Sequence, residues 1–287
     1  VVCDWRGGAR GRSLRGPTCP DRPADPIVAH PDIRRMLMTV KVFKEGARAL
    51  AYWAGLTVDI IRKHPESETR RKAEDLLGLL TPVMKAYCTD MGFNAANLCL
   101  QCFGGHGYIA EWGMEQFVRD ARITQIYEGA NGIQALDLIG RKLPAHKCRA
   151  IQLFFGVAGE FCEKYRDNAS LSPFVKPLAG ALEQLVDATR WLMRHAISDP
   201  DNGGAASMDY LYMMALVALG YQWAQVARIC QNQLSNPDDD SFDRRFYQNK
   251  LVCATFFMEK VLPETTAHLA MLKAGADSLM TLPADAF

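Results

Sequence analysis

Apolar residues recur every three or four positions along most of this chain, and this spacing predicts a succession of amphipathic helices. The longest run covers residues 30–61. A second run follows Thr81-Pro82, which we interpret as an N-cap with proline at the first helical position, and it ends at Gly104-Gly105. A short helical segment covers residues 114–123. No stretch shows sustained alternation of apolar and polar residues, so the sequence predicts an all-α fold.

The second half of the chain continues this pattern. A helix over residues 133–143 is closed by Pro144, and four more are predicted at residues 151–165, 172–197, 208–234 and 242–273, the last bent at Pro263. Polar breaks at residues 199–204 and 235–240 predict loops. The organisation predicted is an irregular segment over residues 1–28, a helical domain over residues 29–144 and a second helical domain over residues 145–287.

The composition is that of an ordinary globular protein of 287 residues, 49% of them hydrophobic, with a formal net charge of +1. It gives no support for nucleic acid or an anionic membrane as a partner. The longest apolar run, residues 208–219, is shorter than the roughly 20 residues that cross a bilayer, so we expect no membrane span. No secretory signal is visible. We expect a cytoplasmic protein.

The nine cysteines are scattered along apolar faces, which favours buried thiols in a reducing compartment. Cys99 and Cys102 form a C-x-x-C, the spacing of many metal and redox sites. No second C-x-x-C or histidine pair accompanies it, and both side chains would share one helix face. We interpret the two cysteines as packing residues.

Two stretches carry the candidate chemistry. One is the glycine-rich break Gln101-Cys102-Phe103-Gly104-Gly105-His106-Gly107-Tyr108, and the other is Ile126-Tyr127-Glu128-Gly129-Ala130-Asn131-Gly132-Ile133-Gln134. The second places a single carboxylate in a turn between two helical segments. In isolation, Glu128 reads as a solvated capping carboxylate and the glycines as a plain helix C-cap.

These stretches, together with Val118-Arg119-Asp120-Ala121-Arg122-Ile123, resemble the C-terminal half of an acyl-CoA dehydrogenase. Gly11-Arg12-Ser13-Leu14, Ala24-Asp25-Pro26-Ile27, His30-Pro31-Asp32 and Gly275-Ala276-Asp277-Ser278-Leu279-Met280 resemble a bacterial branch of that family with an extra C-terminal helical domain. The resemblance covers roughly residues 11–287. It identifies residues 29–144 as the family's C-terminal helical domain and residues 145–287 as the helical extension. Relatives in this branch act on 3-methylmercaptopropionyl-CoA or on longer fatty acyl-CoA.

The resemblance implies an FAD-dependent reaction that removes an α-proton and a β-hydride from an acyl-CoA thioester, giving a trans-2-enoyl-CoA. Glu128 is implied as the base, and its backbone N–H as a donor to the thioester oxygen. Tyr127 and Gly129 are implied to face the substrate. Gln101, Gly104 and Gly105 match positions along the FAD, often that of a neighbouring subunit. Ala130 and Gly132 are expected to contact FAD through backbone atoms.

The resemblance further implies electron-transfer flavoprotein as electron acceptor and a homodimer in a bacterial cytoplasm. Arg119 and Asp120 are expected to brace the turn structurally, and His106 to be a loop residue.

Two other interpretations stay open. Because the family's N-terminal helical domain and β-domain are not in this sequence, the chain can be a truncated, non-catalytic helical dimerisation or assembly module. A four-helix-bundle metal protein is disfavoured, since no Glu-x-x-His pair occurs.

Overall fold

The computed structural model describes residues 11–236 and 243–287. Within these ranges the regular structure is helical and contains no strand, so the all-α prediction is confirmed. The helices are α1 Pro31–Lys63, α2 Ser67–Phe103, α3 Gly105–Tyr108, α4 Met114–Ile123, α5 Asn131–Asp137, α6 Ala145–Lys164, α7 Ser172–Ser198, α8 Pro200–Ser235, α9 Arg244–Lys260, α10 Glu264–Lys273 and α11 Asp277–Met280. None of these helices is both long and apolar enough to cross a membrane.

Helix α1 follows the predicted run of residues 30–61 closely. Its first turn closes through the Arg34 N–H, which donates to the His30 carbonyl at 3.1 Å. Pro31 stands at the first helical position, where its missing N–H is not needed, and Asp32 lies in the first turn near the positive end of the helix dipole. Arg62 and Lys63 lie in the last turn, which favours positive charge.

The predicted helix start at Thr81-Pro82 is wrong, because α2 passes straight through both residues. An interior proline loses one hydrogen bond and crowds the preceding turn, at a cost of about 3 kcal/mol. The residues around it are deeply buried, with Leu80 and Val83 at 1% and 0% exposure. A fully buried Leu or Val contributes about 1.5–3 kcal/mol, so packing on both sides of Pro82 offsets the cost.

The loop predicted at residues 199–204 is also wrong, because α8 begins at Pro200 and not at residue 208. Asp199 is the N-cap, and its carboxylate accepts from the Asp201 N–H at 3.0 Å. Gly203, which suggested a loop, instead allows α7 and α8 to approach closely. A Cβ at that position would lie 3.1 Å from the Cβ of Ala196.

Other predicted boundaries differ in detail. The helix predicted at residues 133–143 is α5 continued by a π-helical turn, Leu138–Lys142. The single bent helix predicted at residues 242–273 is two helices, α9 and α10, separated at residues 261–263. Residues 1–10 of the predicted irregular segment, and residues 237–240 of the second predicted loop, lie outside the described residues.

The chain divides into two compact units: unit 1 of residues 1–44 and 89–128, and unit 2 of residues 45–88 and 129–287. The domain boundaries at residues 28/29 and 144/145 stay a prediction. A small core in unit 1 joins the start of α1 to the end of α2. Its members are Ile27, Ile33, Met36 and Cys102, with Leu37 and Leu98 packed against them.

The loop of residues 11–25 in unit 1 is organised around one buried carboxylate. Asp25 is 2% exposed and accepts the backbone N–H groups of Ser13, Thr18 and Cys19 at 2.8, 2.9 and 2.8 Å. These bonds, that of Ser13 foremost, lower the pKa of Asp25 to about 2 against the cost of burial. The Arg12 guanidinium lies 3.7 Å from the same carboxylate.

Unit 2 is built around α8, which packs against α5, α7, α9 and α10. Residues 213–219 of α8 are each 0–1% exposed, so every side of the helix is covered there. One turn later, Trp223 is 2% exposed. Charged pairs join outlying helices of this unit. Arg149 of α6 holds Asp75 of α2 through two bonds at 2.5 and 2.8 Å, and Lys250 of α9 holds Glu45 of α1 at 2.7 Å.

Candidate functional site

The carboxylate of Glu128 is carried by a reversal of the backbone after α4. After Ile123 the backbone continues in tight turns, because the N–H groups of Gln125 and Ile126 donate to carbonyls three residues earlier at 3.3 and 3.0 Å. Glu128 and Gly129 then take left-handed conformations, with φ of 55° and 85°. The left-handed region costs a residue with a side chain roughly 1–2 kcal/mol. Such a conformation persists only when the surrounding contacts fix it.

Contacts from α2 fix the residues that follow Glu128. The Lys85 ammonium donates to the Gly129 carbonyl at 2.7 Å and to Asn131 Oδ1 at 2.8 Å. Asn131, 7% exposed, donates through Nδ2 to the Ala86 carbonyl at 3.1 Å. Asn131 is also the first residue of α5, whose first turn closes from the Ile133 N–H to the Ala130 carbonyl at 2.8 Å.

A further contact ties the approach to the turn to α2 within unit 1. Gln125 Nε2 donates to Asp90 Oδ1 at 2.7 Å. Lys85, Asp90 and Asn131 were not among the site residues predicted from the sequence. Their partners lie 35 to 46 positions away along the chain, so no local spacing pointed to these contacts.

The glycine-rich break forms the end of α2 and the short helix α3. Gly104 has a φ of 61°, which favours glycine, and its N–H donates to the Gln101 carbonyl at 3.0 Å. Gly107 is buried, and a Cβ there would lie 2.5 Å from the Leu100 carbonyl oxygen. Apart from the adjoining backbone, no atom of the described chain lies within 4 Å of a Cβ placed on Gly104 or Gly105. Packing therefore requires glycine at position 107, whereas the backbone at 104 and 105 is open to an external group.

Within unit 1, the Asp90–Gln125 contact and the glycine-rich break lie at different levels along α2. Gln101 follows Asp90 by eleven residues on the same helix, and at 1.5 Å per residue this is about 16 Å along the axis. The Asp90–Gln125 contact and the glycine-rich break are thus separated by about three helical turns.

All eight residues predicted as catalytic or binding are exposed in this chain: Gln101, Gly104, Gly105, Tyr127, Glu128, Gly129, Ala130 and Gly132. A Cβ added to Gly132 would likewise meet no atom of the described chain within 4 Å beyond the adjoining backbone. Helix α4 in unit 1 has no buried residue. Even its apolar side chains Phe117 and Ile123 are 64% and 53% exposed. A contiguous patch of such side chains is typical of surfaces that contact a ligand or another protein segment.

The remaining candidates have local roles. His106 packs edge-on against Trp112, with ring centroids 5.4 Å apart. Arg119 and Asp120 are both exposed, and their bracing role stays a prediction. Cys102 is 5% exposed, and burial raises the pKa of the Cys99 and Cys102 thiols. Among the described residues, no group of three or more His, Cys, Asp or Glu is placed to hold a metal ion.

Two family models match consecutive parts of the chain. The model described as "Acyl-CoA dehydrogenase, C-terminal domain" matches residues 19–143. The model described as "Acetyl-CoA dehydrogenase C-terminal like" matches residues 154–283. Together the two matches cover most of the sequence.

Full-length relatives match over nearly the whole chain. The 3-methylmercaptopropionyl-CoA dehydrogenase of Ruegeria pomeroyi is 35% identical over 259 residues, which are 90% of this chain and 43% of the relative. A butyryl-CoA dehydrogenase of Syntrophomonas wolfei is 27% identical over 273 residues, 94% of this chain and 44% of the relative. The chain therefore spans less than half the length of the curated relatives it matches.

A solved structure agrees on the fold. The acyl-CoA dehydrogenase of Bacillus anthracis, complexed with FAD, superposes with a TM-score of 0.66 at 17% identity, covering 88% of this chain and 43% of that one. The two consecutive family matches identify residues 19–143 and 154–283 as C-terminal domains of the acyl-CoA dehydrogenase family.

Proposed function

We propose that this chain is the base-carrying C-terminal part of an FAD-dependent acyl-CoA dehydrogenase that oxidises an acyl-CoA thioester to the trans-2-enoyl-CoA. The observation that carries the proposal is the position of Glu128. Its carboxylate is exposed and its backbone takes the left-handed conformation. The residues that follow it in the chain are hydrogen-bonded to α2.

Glu128 is proposed to remove the α-proton of the substrate. A C–H next to a thioester is a very weak acid, so the carboxylate has to be aimed at the carbon. The hydrogen bonds that hold the residues after Glu128 against α2 favour a fixed position for this carboxylate. The Glu128 backbone N–H is proposed to donate to the thioester oxygen, where negative charge develops as the proton leaves. Tyr127 and Gly129 are proposed to contact the substrate on either side of the base.

The residues proposed to hold FAD fit such a group. Gly104 and Gly105 in unit 1, and separately Gly132 in unit 2, leave open space where a side chain would stand, so a flat cofactor can approach the backbone at each of these positions. Gln101 and Ala130 complete the proposed set, and both are exposed. When bound, FAD supplies the acceptor for the β-hydride.

The substrate class is proposed from the relatives, which are named for 3-methylmercaptopropionyl-CoA and butyryl-CoA. We propose an acyl-CoA without assigning its chain. Electron-transfer flavoprotein is proposed as electron acceptor, a homodimer as the assembly and the bacterial cytoplasm as the compartment. The exposed apolar residues of α4 support contact with a further protein segment or subunit.

The test uses the isosteric variant Glu128→Gln. The purified protein is mixed anaerobically with an acyl-CoA, and the loss of visible flavin absorbance is followed. We expect Glu128→Gln to keep its flavin but to bleach about 10²- to 10⁴-fold more slowly, the usual contribution of a general base. Glu160→Gln, an exposed glutamate on α6, is the matched control and should bleach normally. Bleaching of Glu128→Gln at the wild-type rate would refute the proposed base.

The second candidate is a non-catalytic helical assembly module. It is favoured by the exposure of all eight predicted site residues, since this chain alone does not cover them. The same preparation distinguishes the two candidates. A colourless protein that takes up no added FAD and still self-associates in solution favours the assembly module.

A further inference from the structure

We propose that Lys85 and Asn131 are positioning residues for Glu128, and that they act as one clamp on the turn that carries this carboxylate. The inference rests on the proposed function of Glu128 as the base. Neither residue is expected to touch the reacting atoms.

The clamp includes three hydrogen bonds between one turn of α2 and the residues after Glu128. The Lys85 ammonium serves two acceptors, the Gly129 carbonyl at 2.7 Å and Asn131 Oδ1 at 2.8 Å. Bonds from a charged donor are about twice as strong as neutral ones. Asn131 uses both ends of its amide, because its Nδ2 donates to the Ala86 carbonyl at 3.1 Å. Lys85 and Asn131 are thereby joined to each other as well as to the neighbouring backbone.

The turn needs this clamp because its conformation is costly. Glu128 stands at φ 55°, at a cost of roughly 1–2 kcal/mol, while glycine at position 129 adopts φ 85° without that penalty. The neutral donor that also approaches the Gly129 carbonyl, Gln134 Nε2, lies at 3.5 Å, the limit of a hydrogen bond. Lys85 therefore provides the stronger restraint on the Gly129 carbonyl, which belongs to the peptide bond between Gly129 and Ala130.

The clamp bears on the chemistry through geometry. Gly129 is bonded directly to the Glu128 carbonyl carbon, so a shift of Gly129 displaces the Glu128 backbone, which carries the carboxylate side chain and the N–H. A displacement of about 1 Å in an active site can lower the rate about 10²-fold. The base and its N–H act as the proton leaves, so the larger loss should fall on the maximal rate, whereas the movement of Gly129, a proposed substrate contact, should raise KM to a smaller extent.

The experiment compares Lys85→Met with Lys72→Met, an exposed lysine on the same helix, in the flavin-bleaching assay over a range of acyl-CoA concentrations. We expect Lys85→Met to lower the maximal rate about 10²-fold and to raise KM to a smaller extent, and Lys72→Met to leave both unchanged. Lys85→Arg should recover much of the rate, because a guanidinium can donate to both oxygens. Because the two residues share one bond, the loss in Lys85→Met/Asn131→Ala should be smaller than the product of the two single losses.

A second readout does not depend on activity. Amide hydrogen exchange at residues 129–133 should be faster in Lys85→Met than in Lys72→Met, while the helices keep their protection. Unchanged exchange there overturns the clamp, and so does a Lys85→Met variant with the wild-type maximal rate or with a loss confined to KM. If Glu128→Gln bleaches normally, the proposed base fails first, and the exchange measurement still decides whether Lys85 fixes the turn.

Discussion

Replacing Gly46 by alanine tests the packing of α1 on α8 directly. Gly46 is buried on α1, and a Cβ added to it would lie 2.7 Å from Trp223 Nε1 and 3.3 Å from Leu219 Cδ2. Real Cβ atoms essentially never approach another atom within 3.0 Å, so the indole must move. Trp223 is 2% exposed and its ring is rigid, so little free space is available for that movement.

The magnitude follows from two opposing effects. Forcing an extra carbon into a packed core costs about 1–3 kcal/mol. Alanine gains about 1 kcal/mol over glycine in the interior of a helix. We therefore expect Gly46→Ala to lose up to about 2 kcal/mol of unfolding free energy. Gly55→Ala lies on the same helix, is exposed and has no atom beyond the adjoining backbone within 4 Å of the new Cβ, so it should gain about 1 kcal/mol.

The two variants carry the same helix gain, so their difference isolates the clash at about 1–3 kcal/mol. Urea unfolding followed by circular dichroism gives both midpoints, with the slope m checked for constancy. If Gly46→Ala proves as stable as Gly55→Ala, the tight contact between Gly46 and Trp223 does not exist in solution.

Two further predictions concern charged groups. Asp25 has a pKa lowered from 3.8 to about 2, so its bonds contribute stability that is fully present above pH 3.8 and is lost as the pH falls towards about 2. The amide chemical shifts of Ser13, Thr18 and Cys19 should titrate with that low midpoint, and Asp25→Asn should abolish the titration; a midpoint near 3.8 would contradict the buried carboxylate. Arg149→Lys should lower the urea midpoint more than Arg166→Lys, because Arg149 binds Asp75 through two bonds at 34% exposure whereas Arg166 pairs with Glu163 at 68% exposure. Equal urea midpoints for the two variants would show that the two-bond geometry adds nothing to the stability of the fold.

The sequence predicted most of the helices because their apolar positions repeat over three turns or more. Residues such as proline and glycine produced the errors, since their effect depends on tertiary context. Pro82 lies inside α2 because the core on both sides compensates for it, and Gly203 lies inside α8 because α7 approaches there. Neither fact can be read from neighbouring residues.

The candidate site divides in the same way. Glu128 and the glycines were predicted as site residues because they lie in short contiguous motifs that resemble those of a known family. Lys85 did not, because its contacts join residues 44 to 46 positions apart and a lysine on a helix surface is ordinary. The left-handed φ of Glu128 was likewise not predictable, since glutamate has no preference for that region.

The complete burial of residues 213–219 in α8 limits how this helix can change in length. Inserting or deleting one residue rotates everything beyond it by about 100° and shifts it by about 1.5 Å. On a helix with one solvent-facing side, such a rotation can be absorbed by exchanging a few surface positions. Here each new orientation would bring different side chains against α5, α7, α9 and α10 at once. Helix α8 can therefore accept replacements of similar volume, but its register is fixed on every side.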